Sequence, residues 1–131
     1  MRHWLLKLKL VICRYVYSMD ISPTARISVG ALLDKANPRG VHIGDESYIA
    51  SGARIITHDS ARGVRADTYV GKRSFVGFEA IVNCGVRIGD HVVIENGAVV
   101  SEDVPDGCRV AGNPASIVQT GINTGPYGRI P

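Results

Sequence analysis

An apolar residue recurs at every sixth position through most of this chain. The recurring positions hold only Ile, Leu or Val and fall into three runs: Ile21, Ile27 and Leu33; Ile43, Ile49 and Ile55; then Val70, Val76, Val82, Ile88, Ile94 and Val100. Val110 takes the same role after a further break. A short fixed period indicates a repeat architecture, in which each unit buries its apolar face by stacking on its neighbours.

The remaining positions of each unit predict very short parallel strands joined by tight bends. A small or β-branched residue lies four positions after each anchor, as at Ala53 and Ser74. Gly follows the anchor in Ile43-Gly44 and Ile88-Gly89, where we expect it to permit unusual backbone dihedral angles. Since side chains alternate along a strand, the anchors point inward, and three units form one triangular coil of about eighteen residues.

Four stretches of the repeat resemble the hexapeptide-repeat acyltransferases. They are Ile43-Gly44-Asp45-Glu46-Ser47-Tyr48-Ile49, Ile88-Gly89-Asp90-His91-Val92-Val93-Ile94, Gly97-Ala98-Val99-Val100, and the ending Val104-Pro105 with Val110-Ala111-Gly112-Asn113-Pro114-Ala115. The resemblance implies an all-β fold, a left-handed parallel β-helix of about four to five coils with an N-terminal helical cap. The hand comes from the resemblance alone, because crossover connections generally prefer the opposite hand.

Size and composition restrict the function further. At 131 residues the chain is expected to form one domain, with a cap segment at 1–20, the β-helix at 21–118 and a tail at 119–131. The net charge of +3, without a long charge run, gives no indication of nucleic-acid binding. The three cysteines form neither a disulfide framework nor a zinc pattern, which favours a reducing cytoplasm.

The first twenty residues are apolar but interrupted by cations. Lys7 and Lys9 break the run from Trp4 to Ile12, so a membrane-spanning helix is not expected. No small-residue cleavage site follows, which argues against a signal peptide. We expect an amphipathic cap over the open end of the β-helix. A helix lying on a membrane surface is the less favoured alternative, because cationic and apolar residues also suit that role.

The repeat is interrupted between Leu33 and Ile43, between Ile55 and Val70, and between Val100 and Val110. Insertions leave a solenoid as loops on one face. The longest insertion, at 61–69, follows Thr57-His58-Asp59. The resemblance implies that His58, just before the extruded loop, is the catalytic base, since histidine accepts a proton near neutral pH.

Aligning the coils across this loop places His58 above Gly85 and Asp103. The backbone N–H of Gly85 is then a candidate oxyanion donor, while Asp59 and Asn83 are expected to contact the acceptor. Residues 36–42 and 59–69 would determine which acceptor binds.

The resemblance also implies an acetyl-CoA site in the groove between two subunits of a homotrimer. The matching contact positions are Phe78, Asn96, Ser101 and Glu102. Phe78 is bulky where the family has a small residue, and Glu102 is acidic where it often has lysine. The trimer is expected to bury apolar residues on the flat faces of the coil, namely Tyr48, Phe75, Ile81 and Val93.

The implied activity is acetyl transfer from acetyl-CoA to a hydroxyl or amine of a sugar or sugar nucleotide, in surface polysaccharide biosynthesis, with no metal. One alternative is a trimeric binding or assembly protein that has lost transfer. Another is a metal protein resembling γ-class carbonic anhydrases, although His42, His58 and His91 lack the usual spacing. Serine or antibiotic acylation remains open as well. His42 and His91 are expected to be surface residues in bends, and Cys84 is close to the expected site.

Overall fold

Short strands wind into a parallel β-helix with three faces. The computed structural model describes residues 2–130; Met1, part of the expected cap segment, and Pro131, the end of the expected tail, lie outside them. Helix α1 (Arg2–Val11) continues into a π-helical turn, Ile12–Val16. The strands are β1 (Asp20–Ile21), β2 (Arg26–Ile27), β3 (Leu32–Leu33), β4 (Val41–Ile43), β5 (Tyr48–Ile49), β6 (Arg54–Ile55), β7 (His58–Asp59), β8 (Val64–Arg65), β9 (Thr68–Val70), β10 (Phe75–Val76), β11 (Ile81–Val82), β12 (Arg87–Ile88), β13 (Val93–Ile94), β14 (Val99–Val100), β15 (Arg109–Gly112) and β16 (Ala115–Gln119).

Each face of the β-helix is a parallel sheet. Face A has the order β1-β4-β9-β12, face B β2-β5-β10-β13-β15 and face C β3-β6-β11-β14. The anchors stack in register, as the six-residue period predicts: Ile21, Ile43, Val70 and Ile88 on face A; Ile27, Ile49, Val76, Ile94 and Val110 on face B; Leu33, Ile55, Val82 and Val100 on face C. The six-residue repeat alone therefore predicts the strand register correctly.

The anchors fill a narrow central shaft. Ile49, Ile55, Val76 and Val82 are fully buried, and small residues such as Ala53 close the corners. Burying one such aliphatic side chain stabilises the fold by roughly 1.5–3 kcal/mol. The core is therefore a stack of equivalent apolar layers.

The glycines that follow the anchors serve close packing, which corrects the expectation from the sequence. A Cβ at Gly71 would lie 2.5 Å from the carbonyl oxygen of Gly89 in the next coil, and one at Gly44 would lie 2.8 Å from Gly71. Neither has a positive φ. The left-handed conformation falls instead three residues after the anchors, at Gly52 and Gly97 and also at non-glycine positions. These positions make the bends.

Helix α1 covers the first coil. The Lys9 Nζ donates to the carbonyl oxygens of Val29, at 2.7 Å, and Ala31, at 2.5 Å. Cys13 is buried in the core cluster and Leu10 packs against that cluster. Because the first coil has no coil above it, its carbonyl groups need other donors. The helical cap expected from the sequence is therefore present.

The C-terminal segment folds back onto the β-helix. β16 pairs antiparallel with β15, and the chain then runs along the corner between faces A and B. Ile122 N–H donates to Gly107 O at 3.0 Å, the Thr124 hydroxyl donates to Arg73 O, and Tyr127 N–H donates to Glu46 O at 2.6 Å. The tail thus contacts successive coils in turn.

This tail changes the expected trimer surface. A Cβ at Gly128 would lie 2.6 Å from the backbone nitrogen of Phe75, and the Arg26 guanidinium lies 4.3 Å from the Tyr127 ring. Val93 is buried within the single chain, whereas Phe75 and Tyr48 are half-buried. Face B is therefore partly covered by its own chain and does not offer the flat apolar surface that was expected there.

Candidate functional site

Two insertions leave the β-helix at the same corner, where face C turns into face A. Leu33 pairs with Ile55, so the breaks that follow them lie one coil apart. Asn37 Nδ2 donates to Thr57 O at 3.1 Å, and Thr57 Oγ1 donates to Asn37 O at 2.7 Å. Thr57 is fully buried. These reciprocal bonds fix the backbone immediately before His58.

The longer insertion is a hairpin. His58 pairs with Arg65 and Asp59 with Val64 in the antiparallel β7–β8 pair. The Asp59 carboxylate accepts the Ala61 N–H at 3.1 Å and the Arg62 N–H at 3.2 Å, so its side chain organises the hairpin turn. Because β9 already begins at Thr68, the insertion ends earlier than the expected limit at residue 69.

His58 is paired with a buried carboxylate, that of Asp34. The distance from His58 Nδ1 to Asp34 Oδ2 is 2.5 Å, and the Asp34 side chain is 9% exposed while that of His58 is 36% exposed. Asp34 also accepts the N–H of Thr57 at Oδ2 and of Ala36 at Oδ1, both at 2.9 Å. Two backbone amides therefore hold the carboxylate in place against the imidazole.

The hydrogen bonds determine the charge of Asp34. Burial alone would raise the pKa of Asp34, but the hydrogen bonds from Thr57, His58 and Ala36 outweigh burial and lower the pKa below its ordinary value. The carboxylate is therefore ionised at neutral pH and acts only as an acceptor. In the neutral imidazole of His58, Nδ1 therefore carries the proton that faces this carboxylate, and Nε2 carries the lone pair that can act as a base.

A cavity of about 350 Å³ adjoins this pair on the outside of face C. Leu32, Arg54 and Ile56 line it together with Asp34 and His58. Leu32 and Ile56 contribute apolar surface and Arg54 a positive charge. The pair thus adjoins a space that can hold part of a small anionic or polar molecule.

Sequence reasoning missed Asp34. The residue follows Leu33 directly, and the register places the corresponding position of later coils at Ile56, Asn83 and Ser101. The sequence did contain a usable signal. The first two breaks follow Leu33 and Ile55, which stack on each other, and the first break begins with the carboxylate of Asp34. The sequence argument aligned the coils below His58 and left the coil above it unconsidered.

The coil alignment predicts His58 above Gly85, and the structure corrects this prediction. The Gly85 N–H donates to Thr68 Oγ1 at 3.0 Å, and Ala66 is the residue that a Cβ at Gly85 would approach, at 3.6 Å. Since the hairpin carries His58 out of the coil, the returning segment at 66–68 stacks on Gly85 instead. Asp103 accepts the N–H of Arg87 at 2.8 Å. The candidate oxyanion donor is thus already engaged by a hydroxyl.

The other predicted positions divide between two corners. Asn83 Nδ2 donates to Ser101 Oγ at 2.8 Å, at the same corner as His58, and Glu102 beside Ser101 is exposed. Phe78 and Asn96 follow face B strands and lie at the corner between faces B and C, where the Phe78 N–H donates to Asn96 Oδ1 at 2.9 Å. One chain therefore does not bring the Phe78 corner to His58.

His42 and His91 have polar partners of their own. His42 lies in β4, so its expected place in a bend is wrong, and its Nδ1 is 2.7 Å from Asp20 Oδ2. His91 does occupy a bend, with φ of 56°, and its Nδ1 is 3.1 Å from Thr124 O. His42, His58 and His91, the candidate ligands of the metal-protein alternative, thus have different partners and do not share one site. Cys84 is half-buried beside the His58 corner.

Known proteins share this repeat. A family profile described as the hexapeptide repeat of succinyl-transferase matches residues 68–102. Serine acetyltransferase 2 of Arabidopsis thaliana is 32% identical over 109 residues, which are 79% of this chain and 33% of that protein. The chain thus spans about a third of the length of this curated relative.

Solved structures give the same result for the fold. Serine acetyltransferase of Neisseria gonorrhoeae is 28% identical, with a TM-score of 0.59 over 92% of this chain and 46% of that chain. A maltose O-acetyltransferase from Clostridium difficile 630 is 21% identical, with a TM-score of 0.63 over 86% of this chain and 74% of that chain. At 21% identity, the likeness to the maltose O-acetyltransferase supports the fold alone. From its six-residue period, its three-faced coil and these similarities, the chain carries hexapeptide repeats and has the left-handed parallel β-helix fold of the hexapeptide-repeat acetyltransferases that it resembles.

Proposed function

We propose that this protein transfers the acetyl group of acetyl-CoA to a small acceptor, with His58 as the general base. The observation that carries the proposal is the Asp34–His58 pair beside a cavity, in which the carboxylate engages Nδ1 and leaves Nε2 as the nitrogen for a base. The acetyltransferases among its relatives support the reaction class.

Each proton transfer of this reaction can be assigned to a residue of the site. The acceptor hydroxyl gives its proton to His58 Nε2 as its oxygen attacks the thioester carbonyl carbon. The carbon–sulfur bond then breaks, and the imidazolium returns the proton to the leaving thiolate, which yields an acetyl ester and the free thiol. Asp34 maintains the tautomer and stabilises the transient imidazolium. His58 is the catalytic residue, and Asp34 is a positioning residue.

For the acceptor we propose a sugar or sugar nucleotide, in surface polysaccharide biosynthesis. Leu32 and Ile56 provide apolar surface for a ring, and the Arg54 guanidinium suits a phosphate or carboxylate. Serine is the rival acceptor, since its carboxylate would suit the Arg54 guanidinium as well. Comparing acetylation of UDP-sugars, neutral sugars and serine by mass spectrometry decides between them.

The donor site is proposed to form between subunits of a homotrimer in the cytoplasm. Phe78 and Asn96 follow face B strands, whereas His58 follows a face C strand. A neighbouring copy would be needed to bring the two corners together. Leu32 on the outside of face C is 50% exposed, which provides apolar surface for such a contact.

A binding protein without transfer is the second candidate. It is favoured by the ring of Phe78, which is 49% exposed at the expected donor position, and by the acidic Glu102. Calorimetric titration with acetyl-CoA separates the two candidates. The transferase proposal expects saturable binding of the donor together with acetylated product. Absence of donor binding, in a protein that is folded by circular dichroism, would favour the binding protein.

A further inference from the structure

The N-terminal helical segment, α1 together with the π-helical turn Ile12–Val16, has a second apolar face, which points away from the β-helix. Trp4, Leu8, Val11 and Tyr15 are 57%, 47%, 50% and 69% exposed. The spacing of four and three residues places Trp4, Leu8 and Val11 along one side of α1, and Tyr15 is exposed in the π-helical turn that continues the helix. Together they form a stripe, which we call the outer stripe (Trp4, Leu8, Val11 and Tyr15).

Capping the first coil does not require this outer stripe. The cap is made by the opposite side of the helix, through Lys9, Leu10 and Cys13. The end of a solenoid normally shows a polar outer surface to water. A helix that is apolar on both sides is instead expected to be covered on both. The outer stripe therefore indicates a binding partner.

The charges near the stripe indicate the chemistry of that partner. Lys7 lies in α1, and Arg14 lies in the π-helical turn with its guanidinium 5.2 Å from the ring of Tyr15. The segment 2–19 contains four Lys and Arg residues and no Asp or Glu, the first carboxylate being Asp20. The Lys9 ammonium is directed inward onto the first coil. The exposed side of α1 is thus apolar, and segment 2–19 adds cations and no acidic residue.

We propose that the outer stripe binds the surface of a membrane that contains anionic lipids. Trp4, Leu8 and Val11 would enter the boundary between headgroups and acyl chains, while Lys7 and Arg14 would contact lipid phosphates. Trp4 and Tyr15 lie at the two ends of the stripe, and both residue types favour this boundary. From the sequence, a cap and a membrane-surface helix are alternatives; in the structure, the two sides of one helix suit the two roles.

The helix would lie in the plane of the membrane. α1 has ten residues, and within residues 2–130 no helix is long and apolar enough to cross a bilayer. A second copy of the chain is the competing occupant of the stripe. Pairing two such helices would bring acid-free, cationic flanks together, which like charges oppose.

The test uses Trp4, which is the only tryptophan of the chain. The purified protein is mixed with vesicles of phosphatidylcholine, either alone or with phosphatidylglycerol. With the anionic vesicles we expect sedimentation of the protein, a blue shift of the tryptophan fluorescence and quenching by brominated acyl chains. Sedimentation without quenching would overturn insertion of the stripe, and no sedimentation would overturn the proposal as a whole.

Variants separate the two parts of the surface. Lys7→Gln with Arg14→Gln should weaken binding to anionic vesicles roughly 20- to 30-fold, since each such cation contributes about fivefold. Leu8→Ser with Val11→Ser should abolish quenching. The matched control is Ile117→Ser with Val118→Ser, which removes two exposed apolar side chains of β16 and should leave binding unchanged.

Light scattering addresses the competing occupant. The proposal expects the Leu8→Ser, Val11→Ser variant to keep the oligomeric mass of the wild type in the absence of vesicles. A lower mass for that variant, but not for the Ile117→Ser, Val118→Ser control, would show that the stripe lies between copies of the chain. Neither result depends on acetyl transfer, so the proposed function is tested separately.

Discussion

Replacing Asp34 by Asn tests the role of the buried carboxylate. In the wild type, Oδ2 accepts from both Thr57 N–H and His58 Nδ1, and Oδ1 accepts from Ala36 N–H. An amide has one acceptor oxygen. If that oxygen faces His58, the amide NH₂ opposes Ala36 N–H; if it faces Ala36, the NH₂ opposes Thr57 N–H and forces His58 into the tautomer that cannot act through Nε2.

The size of the effect follows from the lost charge. A unit charge about 4 Å from the imidazolium contributes about 4 kcal/mol at an effective dielectric constant of about 20. Since His58 is one-third exposed, the net effect should be smaller, about 3 kcal/mol, which corresponds to a loss in kcat/KM of roughly 10²- to 10³-fold. The orientation that disfavours the active tautomer would increase this loss.

The assay is thiol release from acetyl-CoA with an acceptor identified by the acceptor screen. Asp20→Asn is the matched control, because it breaks an Asp–His pair of similar geometry, 2.7 Å to His42, on face A. We expect the control to retain wild-type kcat/KM. Equal losses in both variants, or a wild-type kcat/KM in folded Asp34→Asn, would refute the positioning role of Asp34. In a His58→Ala background, Asp34→Asn should cause little further loss.

Three further predictions concern the donor position, the coil packing and acid stability. Phe78→Ser should strengthen acetyl-CoA binding in calorimetry if the ring narrows the donor channel; weaker binding together with a lower Tm would instead assign the ring to the trimer contact. Gly71→Ala should destabilise the fold by about 1–3 kcal/mol or more through overpacking, whereas Gly125→Ala, whose nearest neighbour would lie 3.8 Å away, should leave Tm unchanged; equal Tm values for both would contradict the close-packing role. Because the pKa of Asp34 is lowered on folding, its stabilising effect is present above the unfolded pKa of about 3.9 and is lost as pH falls through the folded value. Urea unfolding should therefore show a shallower acid loss in Asp34→Asn than in the wild type, and identical slopes would count against this linkage.

The sequence was sufficient for the register of the coil, because one apolar residue every six positions can face a common shaft in only one way. It was insufficient wherever the chain leaves that period. The hairpin at 58–65 carries His58 out of the coil, so counting residues placed it over Gly85, where Thr68 actually lies. Asp34 directly follows Leu33, so the register does place it one coil above the start of the hairpin; the register does not show that the hairpin brings His58 to this carboxylate, 24 positions earlier in the chain.

The path of the tail over the coils could not be predicted from the sequence either. Residues 120–130 have no period, and their hydrogen bonds go to backbone groups of several coils, such as Gly107 O and Glu46 O. Backbone partners leave no pattern in side-chain identity. The cover over Phe75 could therefore not be anticipated, and face B does not offer the open apolar surface that was expected there.

The most direct test of the central claim is acetyl transfer by the wild type and by His58→Ala. Product is followed by mass spectrometry and coenzyme A release by a thiol reagent, with a sugar nucleotide as acceptor and serine as its rival. The side chain of His58 lies on a hairpin outside the core, so the variant should stay folded, with a slightly lower Tm because Asp34 loses one hydrogen-bond donor. We predict that it loses about 10²- to 10⁴-fold in kcat. A folded His58→Ala protein that acetylates the same acceptor at the wild-type rate would contradict the assignment of His58 as the general base.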